Sequence, residues 1–381
     1  MIPEGLLERA AELKGQLMEH ARRPRYDRAF REMLAGSGEP GDVLDENQLM
    51  LLWDSFLLEH RQRDGRTLVD HFVDAHPDLP PDDRQMVLGW RDVVSGVFEV
   101  QRRDRDAVLL VNLVDDLTYR AHSTVGPSVF RQMPRRSFLL TRLVAVADEW
   151  TFSGPTTVLR PGDRDAAARA AIDLSLRSPA AVFRNPAKLT QAWELQREER
   201  QRFIRFFGAD LVVVPGGQAQ RRLDDFHAFR QAEVVRERPQ PPRGVPRPPA
   251  RVLELPPELV ESDTVALVYD EDDGLGFFAD FGLVEEAFAD PELLRRRRYR
   301  EQVLSYLHDD SVSPTVLRRL AERDPARASA VFRRLLQRRS FDWARDGEEL
   351  LRSVRPDYFA QPRLPSVTPV GELLASYTGH R

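Results

Sequence analysis

Short apolar runs separated by charged turns make the segment from Val97 to Phe152 the clearest strand pattern in the chain. Runs this short, rich in β-branched and aromatic residues and broken by acidic turns, predict consecutive antiparallel strands. An open sheet of five such strands would expose both edges, so we expect a small closed or half-closed five-stranded β-barrel, OB- or SH3-like. The five runs are 97–100, 107–111, 117–121, 137–146 and 149–152.

Two features refine this prediction. Residues 126–133, between the third and fourth runs, predict a short helix that plugs one end of the barrel. Phe98, Phe138, Trp150 and Phe152 alternate with other side chains as interior residues do, so we expect their rings to pack rather than to form a docking surface. This pattern favours a structural or protein-binding barrel over a nucleic-acid-binding one.

The segment before the barrel reads as helical. Apolar residues recur at helical spacing over residues 4–34, and Pro24 is expected to kink or divide that helix. Thr67, followed three residues later by Asp70, has the composition of a capping box. Pro81 is expected in the first turn of another helix.

The segment after the barrel alternates helices with a few strands. One very apolar strand is predicted at 211–214, and a hairpin is predicted around Asp273-Gly274. Residues from Pro291 to about His308 have the pattern of one helix. The chain is therefore predicted to be α+β, with a helical N-terminal part, the barrel, a helical middle and an α+β C-terminal part.

A proline-rich stretch at 237–250 is the clearest predicted boundary, because such runs favour extended polyproline II structure and act as spacers. A chain of 381 residues is too long for one ordinary core. The predicted plan is a helical domain at 1–95, the barrel at 96–160, a helical segment with one strand at 161–236, the linker at 237–250 and an α+β domain at 251–381.

The amino-acid composition excludes several kinds of functional site. The chain has no cysteine, which excludes disulfides, thiolate metal sites and cysteine nucleophiles. Its net charge of −5 provides no global basic field. No run reaches the roughly 18 apolar residues that a membrane span needs, and no secretion signal is visible, so we expect a cytoplasmic protein without a membrane partner.

Lysine is almost absent, because only Lys14 and Lys188 occur among the 56 basic residues. The planar guanidinium group of arginine matches the geometry of a carboxylate, so we expect most of this positive charge at the surface in ion pairs. Any chemistry that needs a lysine amine has only these two candidates.

Two groups of arginines could instead bind a nucleic-acid backbone. One group lies in predicted loops of the barrel, and the other is the densest basic run of the chain, on a predicted helix. Acidic residues interleave with the second group, which favours a solvated, paired helix face. The candidates are Arg102, Arg103, Arg135 and Arg136 in the barrel and Arg295, Arg296, Arg297 and Arg298 in the C-terminal part.

Two places in the sequence have residue types that bind metal ions, but neither has the spacing of a known metal site. The acidic turn that contains Asp270 and Asp272 fails the EF-hand spacing, because Leu275 stands where the glycine is needed. His308 and Asp309 form a His-Asp pair whose further ligands are not recognisable at any spacing. No catalytic residue and no cofactor is assigned from the sequence.

Three passages carry one resemblance: Asp78-Leu79-Pro80-Pro81 with Trp90 and Gly96 to Val100, then Asp115 to Arg120, and then Arg142 to Gly154. Together they resemble a region of uncharacterised bacterial proteins, some of which have a cysteine-rich SEC-C zinc motif beside it. This chain has no cysteine and so departs from that pattern in its one part of known chemistry. The resemblance implies a cytoplasmic bacterial accessory protein.

The function expected from the sequence is that of a non-enzymatic binding or scaffold protein that recognises a protein partner. This expectation depends on the lack of any convergent set of catalytic residues in the sequence. A nucleic-acid-binding protein that uses the arginines above is one alternative. A metal-dependent hydrolase is the other.

Overall fold

The computed structural model describes residues 2–3, 5–37, 44–237 and 253–378, which divide into two compact units. The barrel unit comprises the described residues of 1–188 and 370–380, and the sheet unit comprises those of 189–369. This division differs from the one predicted at the proline-rich stretch, because strands from both sides of that stretch pair in one sheet. From residue 238 to residue 252 the chain lies outside the described residues.

In the described part of the chain, five helices precede the barrel, and several of their ends follow local capping rules. Pro24 lies at the first position of the second helix, so the expected break at this proline is a division into two helices. Asp45 and Thr67 each form a capping box at the start of a helix, the latter with Asp70 as expected. The helices are α1 (Leu6–Ala21), α2 (Pro24–Ala35), α3 (Glu46–Leu58), α4 (Leu68–Ala75) and α5 (Pro81–Gly89).

The predicted five-stranded, mostly antiparallel sheet is confirmed. Each strand has a neighbour on both sides, because the pairings run β1-β2-β3-β5-β4 and β4 pairs back with β1. Four of these pairings are antiparallel, and the β3–β5 pairing is parallel, which the sequence did not indicate. The strands are β1 (Val94–Arg103), β2 (Ala107–Asn112), β3 (Thr118–His122), β4 (Phe138–Val146) and β5 (Glu149–Leu159).

Strand β5 continues to Leu159, beyond Phe152, where the fifth predicted run ends, and beyond the Gly154-Pro155 pair that follows it. Gly154 has a φ of 73°, a left-handed conformation that glycine adopts without steric cost. The β4–β5 register shifts at this point, between Leu140 and Arg142. The strand therefore bends at Gly154 and then pairs again with the beginning of β4.

The interior of the barrel is packed with side chains. Phe98 is fully buried in this core, and Trp150 and Phe152 are half-buried at its edge. The expectation for Phe138 is wrong: its neighbour Leu139 belongs to the barrel core, so Phe138 lies on the opposite, outer face of β4, where its ring is 2% exposed and packs against Tyr377. Between β3 and β4 a 3₁₀ helix at Pro127–Gln132 buries Phe130 against that core, which confirms the expected helical insertion.

The helices before the barrel pack on the outer face of β4. Val144 and Val146 belong to the same buried cluster as the apolar residues of α1, α3, α4 and α5. The indole Nε1 of Trp90 donates to the carbonyl of Ala145 over 3.1 Å and so fixes the end of α5 to the strand.

Two further segments complete the barrel unit, one that precedes the residues of the sheet unit in the sequence and one that follows them. After a 3₁₀ turn at Pro161–Asp163, the chain forms α6 (Arg164–Arg177), α7 (Pro179–Val182) and the start of α8 (Pro186–Phe207). The last described helix, Glu372–Thr378, packs against α6.

A three-stranded antiparallel sheet organises the sheet unit. Its middle strand alternates between two cores, with Val265 and Leu267 on one face and Ala266 and Val268 on the other. The hairpin predicted around Asp273-Gly274 is present between the second and third strands. The elements in order are β6 (Leu211–Pro215), α9 (Gly216–Glu237), α10 (Pro257–Val260), β7 (Thr264–Asp270) and β8 (Gly274–Ala279).

Helices complete the sheet unit. The single helix expected from Pro291 to His308 is interrupted at Arg296, which has an extended backbone, so a 3₁₀ turn at Pro291–Arg295 precedes a separate α-helix. The helices of the sheet unit that follow β8 are α11 (Phe281–Ala289), α12 (Arg297–His308), α13 (Pro314–Arg323), α14 (Pro325–Leu335), α15 (Trp343–Val354) and α16 (Pro356–Ala360). The helix of the barrel unit that follows them in sequence is α17 (Glu372–Thr378).

Among the helices of the described residues, none combines the length and the apolar character that crossing a bilayer requires.

Candidate functional site

An apolar groove of about 760 Å³ lies in the barrel unit and is lined by α1, α3 and β5. Apolar and aromatic side chains make up most of its walls, among them Met18, Phe30, Trp53, Leu57 and Phe152. Ligand sites of proteins are commonly concave and mostly apolar, with volumes of about 300–1,000 Å³ and a few converging polar groups. The apolar groove has these properties and is therefore the candidate functional site.

One wall of the apolar groove is made by α1, on which Ala11 and Gly15 are small residues. Ala11, Gly15, Met18 and Arg22 follow one another at intervals of four, three and four positions, which places them on one face of α1. A Cβ atom built on Gly15 would meet nothing within 4 Å. This face of α1 therefore leaves room for another backbone to approach closely.

The opposite wall belongs to α3 and carries exposed apolar side chains. Leu49, Met50 and Leu51 are 43, 45 and 43% exposed, and the first two line the apolar groove. Scattered apolar residues are normal on protein surfaces, but three in succession beside an apolar groove are typical of an interaction site.

The floor of the apolar groove is polar and consists of Lys14, Asp54 and Ser153. The Lys14 ammonium donates to Asp54 Oδ1 and to Ser153 Oγ, each at 2.9 Å. The Ser153 hydroxyl donates to the same Asp54 oxygen over 2.7 Å. These three groups come from α1, α3 and β5, so the floor joins the helices to the barrel.

Arg142 extends this network behind the floor. Its Cα is paired with that of Ser153 across β4 and β5, which puts both side chains on the sheet face that α3 covers. Arg142 Nε lies 3.0 Å from Asp54 Oδ2 in an ion pair that is not an aligned hydrogen bond. The guanidinium also donates to Ser55 Oγ and, over 2.6 Å, to Glu59.

Lys14 has an unusual environment for an amine. Burial lowers the pKa of Lys14 from its ordinary value, while the neighbouring Asp54 carboxylate opposes this shift. Its side chain is 22% exposed and lies at the surface of the apolar groove, whereas that of Asp54 is 5% exposed. A perturbed pKa in a concave site is a common property of functional groups, although buried structural ion pairs also produce it.

The barrel arginines proposed from the sequence are brought together at one end of the barrel. Arg102 and Arg103 end β1, and Arg135 and Arg136 precede β4, which is paired with β1. Arg102 forms an ion pair with Asp104, and Arg103 donates to the carbonyl of Phe130. Within the described ranges, no carboxylate lies within ion-pair distance of Arg135 or Arg136.

The C-terminal arginines lie in the sheet unit and are mostly paired. Arg295 lies 3.0 Å from Glu292, Arg297 lies 2.6 Å from Glu301, and Arg298 pairs with Asp263. Arg296 precedes α12 as its N-cap residue. This arrangement is the interleaved ion pairing that the sequence favoured for this surface.

The metal candidates are engaged with the protein itself. Asp270 lies 3.2 Å from Arg319, and Asp272 pairs with Arg363. Asp309 accepts hydrogen bonds from the backbone and side chain of Ser311, and His308 is exposed at the end of α12. Among the described residues, no group of three or more His, Cys, Asp or Glu side chains could hold a metal ion.

The metal-dependent hydrolase stays a prediction that elemental analysis of the purified protein tests.

Sequence reasoning did not place Lys14 in a site, although one signal was available. A chain that uses arginine almost everywhere keeps lysine at two positions only. Both form ion pairs, Lys14 with Asp54 and the buried Lys188 with Asp116 at 3.1 Å, where it also donates to the carbonyl of Val114. A compact ammonium fits such sites where a planar guanidinium does not, so the rarity of lysine marks them.

Comparison with family models, with curated proteins and with solved structures gave no match. The resemblance to bacterial proteins with a neighbouring zinc motif therefore stays a prediction.

Proposed function

We propose that the barrel unit is a recognition module whose apolar groove binds an amphipathic helix of a protein partner. The observation that supports this proposal is the pairing of two small residues on α1, Ala11 and Gly15, with exposed apolar residues on α3. Helices recognised in grooves insert apolar anchors from positions i, i+3, i+4 and i+7. A groove of about 760 Å³ has room for several such side chains.

The energetics favour this occupant. Each leucine- or phenylalanine-sized side chain that enters the apolar groove contributes about 1.5 to 3 kcal/mol of burial. The same event removes Leu49 and Met50 from water. The open space at Gly15 permits the partner backbone to approach α1, as small residues do at close helix contacts elsewhere.

A displayed library of 18-residue helices tests the proposal, with apolar residues fixed at helical spacing and the other positions varied. Helices selected on the full chain are expected to bind it and the Gly89→Gln control equally. They should lose at least tenfold in affinity for Gly15→Gln, whose longer side chain occupies the apolar groove.

Both glycines lie on helices of the barrel unit, and a Cβ on either meets nothing within 4 Å, so the two changes are matched in cost to the fold. Selected helices that bind Gly15→Gln unchanged would contradict the proposal. So would equal binding of scrambled peptides of the same composition.

A second candidate function is nucleic-acid binding at the end of the barrel that carries Arg135 and Arg136. The strand order, with a helical segment between β3 and β4, is similar to that of OB-type barrels, which bind single strands. Two unpaired arginines beside a barrel of this type support the idea.

This candidate predicts that the full chain binds a single-stranded oligonucleotide with an affinity that falls steeply as salt rises. Replacing Arg135 and Arg136 by alanine should abolish that binding, and replacing the paired Arg297 and Arg298 should not. Binding that is absent, or indifferent to both salt and the first replacement, would remove this candidate.

A further inference from the structure

Lys14 gives the apolar groove a chemical preference beyond size and shape. A lysine ammonium has three hydrogen-bond donors, and two of those of Lys14 reach Asp54 Oδ1 and Ser153 Oγ. The third has no acceptor among the described residues, and the side chain lies at the surface of the apolar groove. Because the side chain is 22% exposed, water can reach this donor in the free protein.

Filling the apolar groove removes that water. A buried donor left without an acceptor is costly, and the cost is greater when the donor is charged. An occupant with only hydrocarbon groups would therefore bind more weakly, because it leaves this ammonium donor desolvated without an acceptor. An occupant that places an oxygen acceptor at Lys14 avoids it and replaces the water with a charge-assisted hydrogen bond.

The charges of the groove favour an anionic acceptor. Among the described residues, the ionisable side chains that line it are Lys14, Arg22 and Asp54, which sum to one positive charge. Asp54 is also shared with Arg142, so its negative charge is divided between two cations. A carboxylate therefore complements this site better than an amide or a hydroxyl does.

We propose that the partner helix inserts one aspartate or glutamate among its apolar anchors, with the carboxylate against the ammonium of Lys14. This inference rests on the proposed function, since it names the chemistry of the helix that the apolar groove binds. An acid within an otherwise apolar face is rare, because its burial is unfavourable without a partner. The requirement therefore gives specificity against ordinary amphipathic helices.

The test uses matched peptides taken from the library selection described above. One peptide carries glutamate at the position that faces Lys14, and its twin carries glutamine there. We expect the glutamate peptide to bind the full chain at least tenfold more tightly than its twin, and the difference to disappear with Lys14→Met. If Lys14→Met does not fold, Arg22→Gln still tests the proposal, because a preference that survives this change excludes Arg22 as the group that binds the carboxylate.

The outcomes separate the two proposals. If neither peptide binds, the proposed function itself fails. If both bind equally, the apolar groove accepts helices but the role of Lys14 is wrong. If the preference for the glutamate peptide survives Lys14→Met and is lost with Arg22→Gln, the carboxylate binds Arg22. The inference is then overturned as well.

Discussion

Arg142 Nε lies 3.0 Å from Asp54 Oδ2, and each of these side chains is 5% exposed. Asp54 is also the carboxylate partner of Lys14, so one buried anion serves two cations from different elements. The charges hold α1, α3 and β4 in register around the apolar groove. Removing this anion would leave two buried cations without their common partner.

We therefore expect Asp54→Ala to lower the free energy of unfolding of the barrel unit by about 3 to 5 kcal/mol, the usual cost of breaking a buried ion pair from one side. Urea denaturation of the full chain measures this loss. Glu59→Gln is the matched control, because Glu59 is the more exposed second partner of Arg142 at 44% exposure. Its expected effect is within about 1 kcal/mol, and equal losses in the two variants would contradict the assignment of the network to Asp54.

His20 provides a second prediction, on pH. Its Nε2 atom lies 3.0 Å from the Tyr26 hydroxyl and 3.0 Å from an Arg25 nitrogen, which can only donate, so a protonated ring would set an N–H against that donor. Burial, followed by the charges of Arg23 and Arg25, lowers the pKa of His20 to about 4. The other groups that face it are Tyr26 on α2 and His71 and His76 on α4.

Because the folded pKa lies below the ordinary value of 6.5, the unfolded chain binds the proton first as pH falls. The contribution of neutral His20 is complete above about pH 6.5 and is lost progressively toward pH 4, by up to about 3 kcal/mol. Calorimetry of the wild type and of His20→Gln between pH 7 and pH 4.5 checks this. The wild type should lose stability more steeply, and parallel curves would show that His20 is not the responsible group.

Gly154 gives a prediction about the bend in β5. Its φ of 73° strains any other residue, and an added Cβ would lie 3.4 Å from the side chain of Asp54. Gly154→Ala is expected to cost about 1 to 3 kcal/mol for the backbone conformation alone. Gly162→Ala is the control, since its Cβ meets nothing within 4 Å and its backbone is not left-handed. Thermal denaturation should separate the two, and equal melting temperatures would contradict the strain.

The last described helix, α17, supplies a fourth prediction. Tyr377 donates its hydroxyl to Glu99, which is 6% exposed, and its ring meets the edge of Phe138. Burial, followed by this hydrogen bond to Glu99, raises the pKa of Tyr377. Tyr377→Phe keeps the ring and removes the donor, so it should destabilise the barrel unit by about 1.5 to 3 kcal/mol. Loss of the hydrogen bond from Tyr377 should raise the rate of amide hydrogen exchange in peptides of β1. An unchanged rate would show that the strand around Glu99 is not stabilised by α17.

The barrel was predictable because its strands are short and the residues that punctuate them are local signals. The acidic turns, the capping box of Thr67 and Asp70 and the break at Pro24 all act within a few residues, and each is present. The end of β5 was misplaced because a glycine-proline pair ordinarily ends a strand. A left-handed glycine and a shift in register let the strand continue.

The candidate site was not predictable in the same way. Lys14, Asp54 and Ser153 are separated by 40 and 99 positions, and none belongs to a recognisable motif. Their meeting depends on how α1 and α3 pack on the outer face of β4 and β5, which is a tertiary relationship. Similarly, the pairing of β6 with β7 across the proline-rich stretch has no local signature.

The return of the chain to the barrel unit through α17 has a consequence for biogenesis. A ribosome releases the residues of β1 to β5 long before it makes Leu374 and Tyr377, which pack on or near that barrel. The nascent N-terminal half must therefore persist with one flank uncovered while the intervening unit is translated. A fragment without α17 would leave the same flank of the barrel unit uncovered, so quantitative binding work needs a chain that includes this helix.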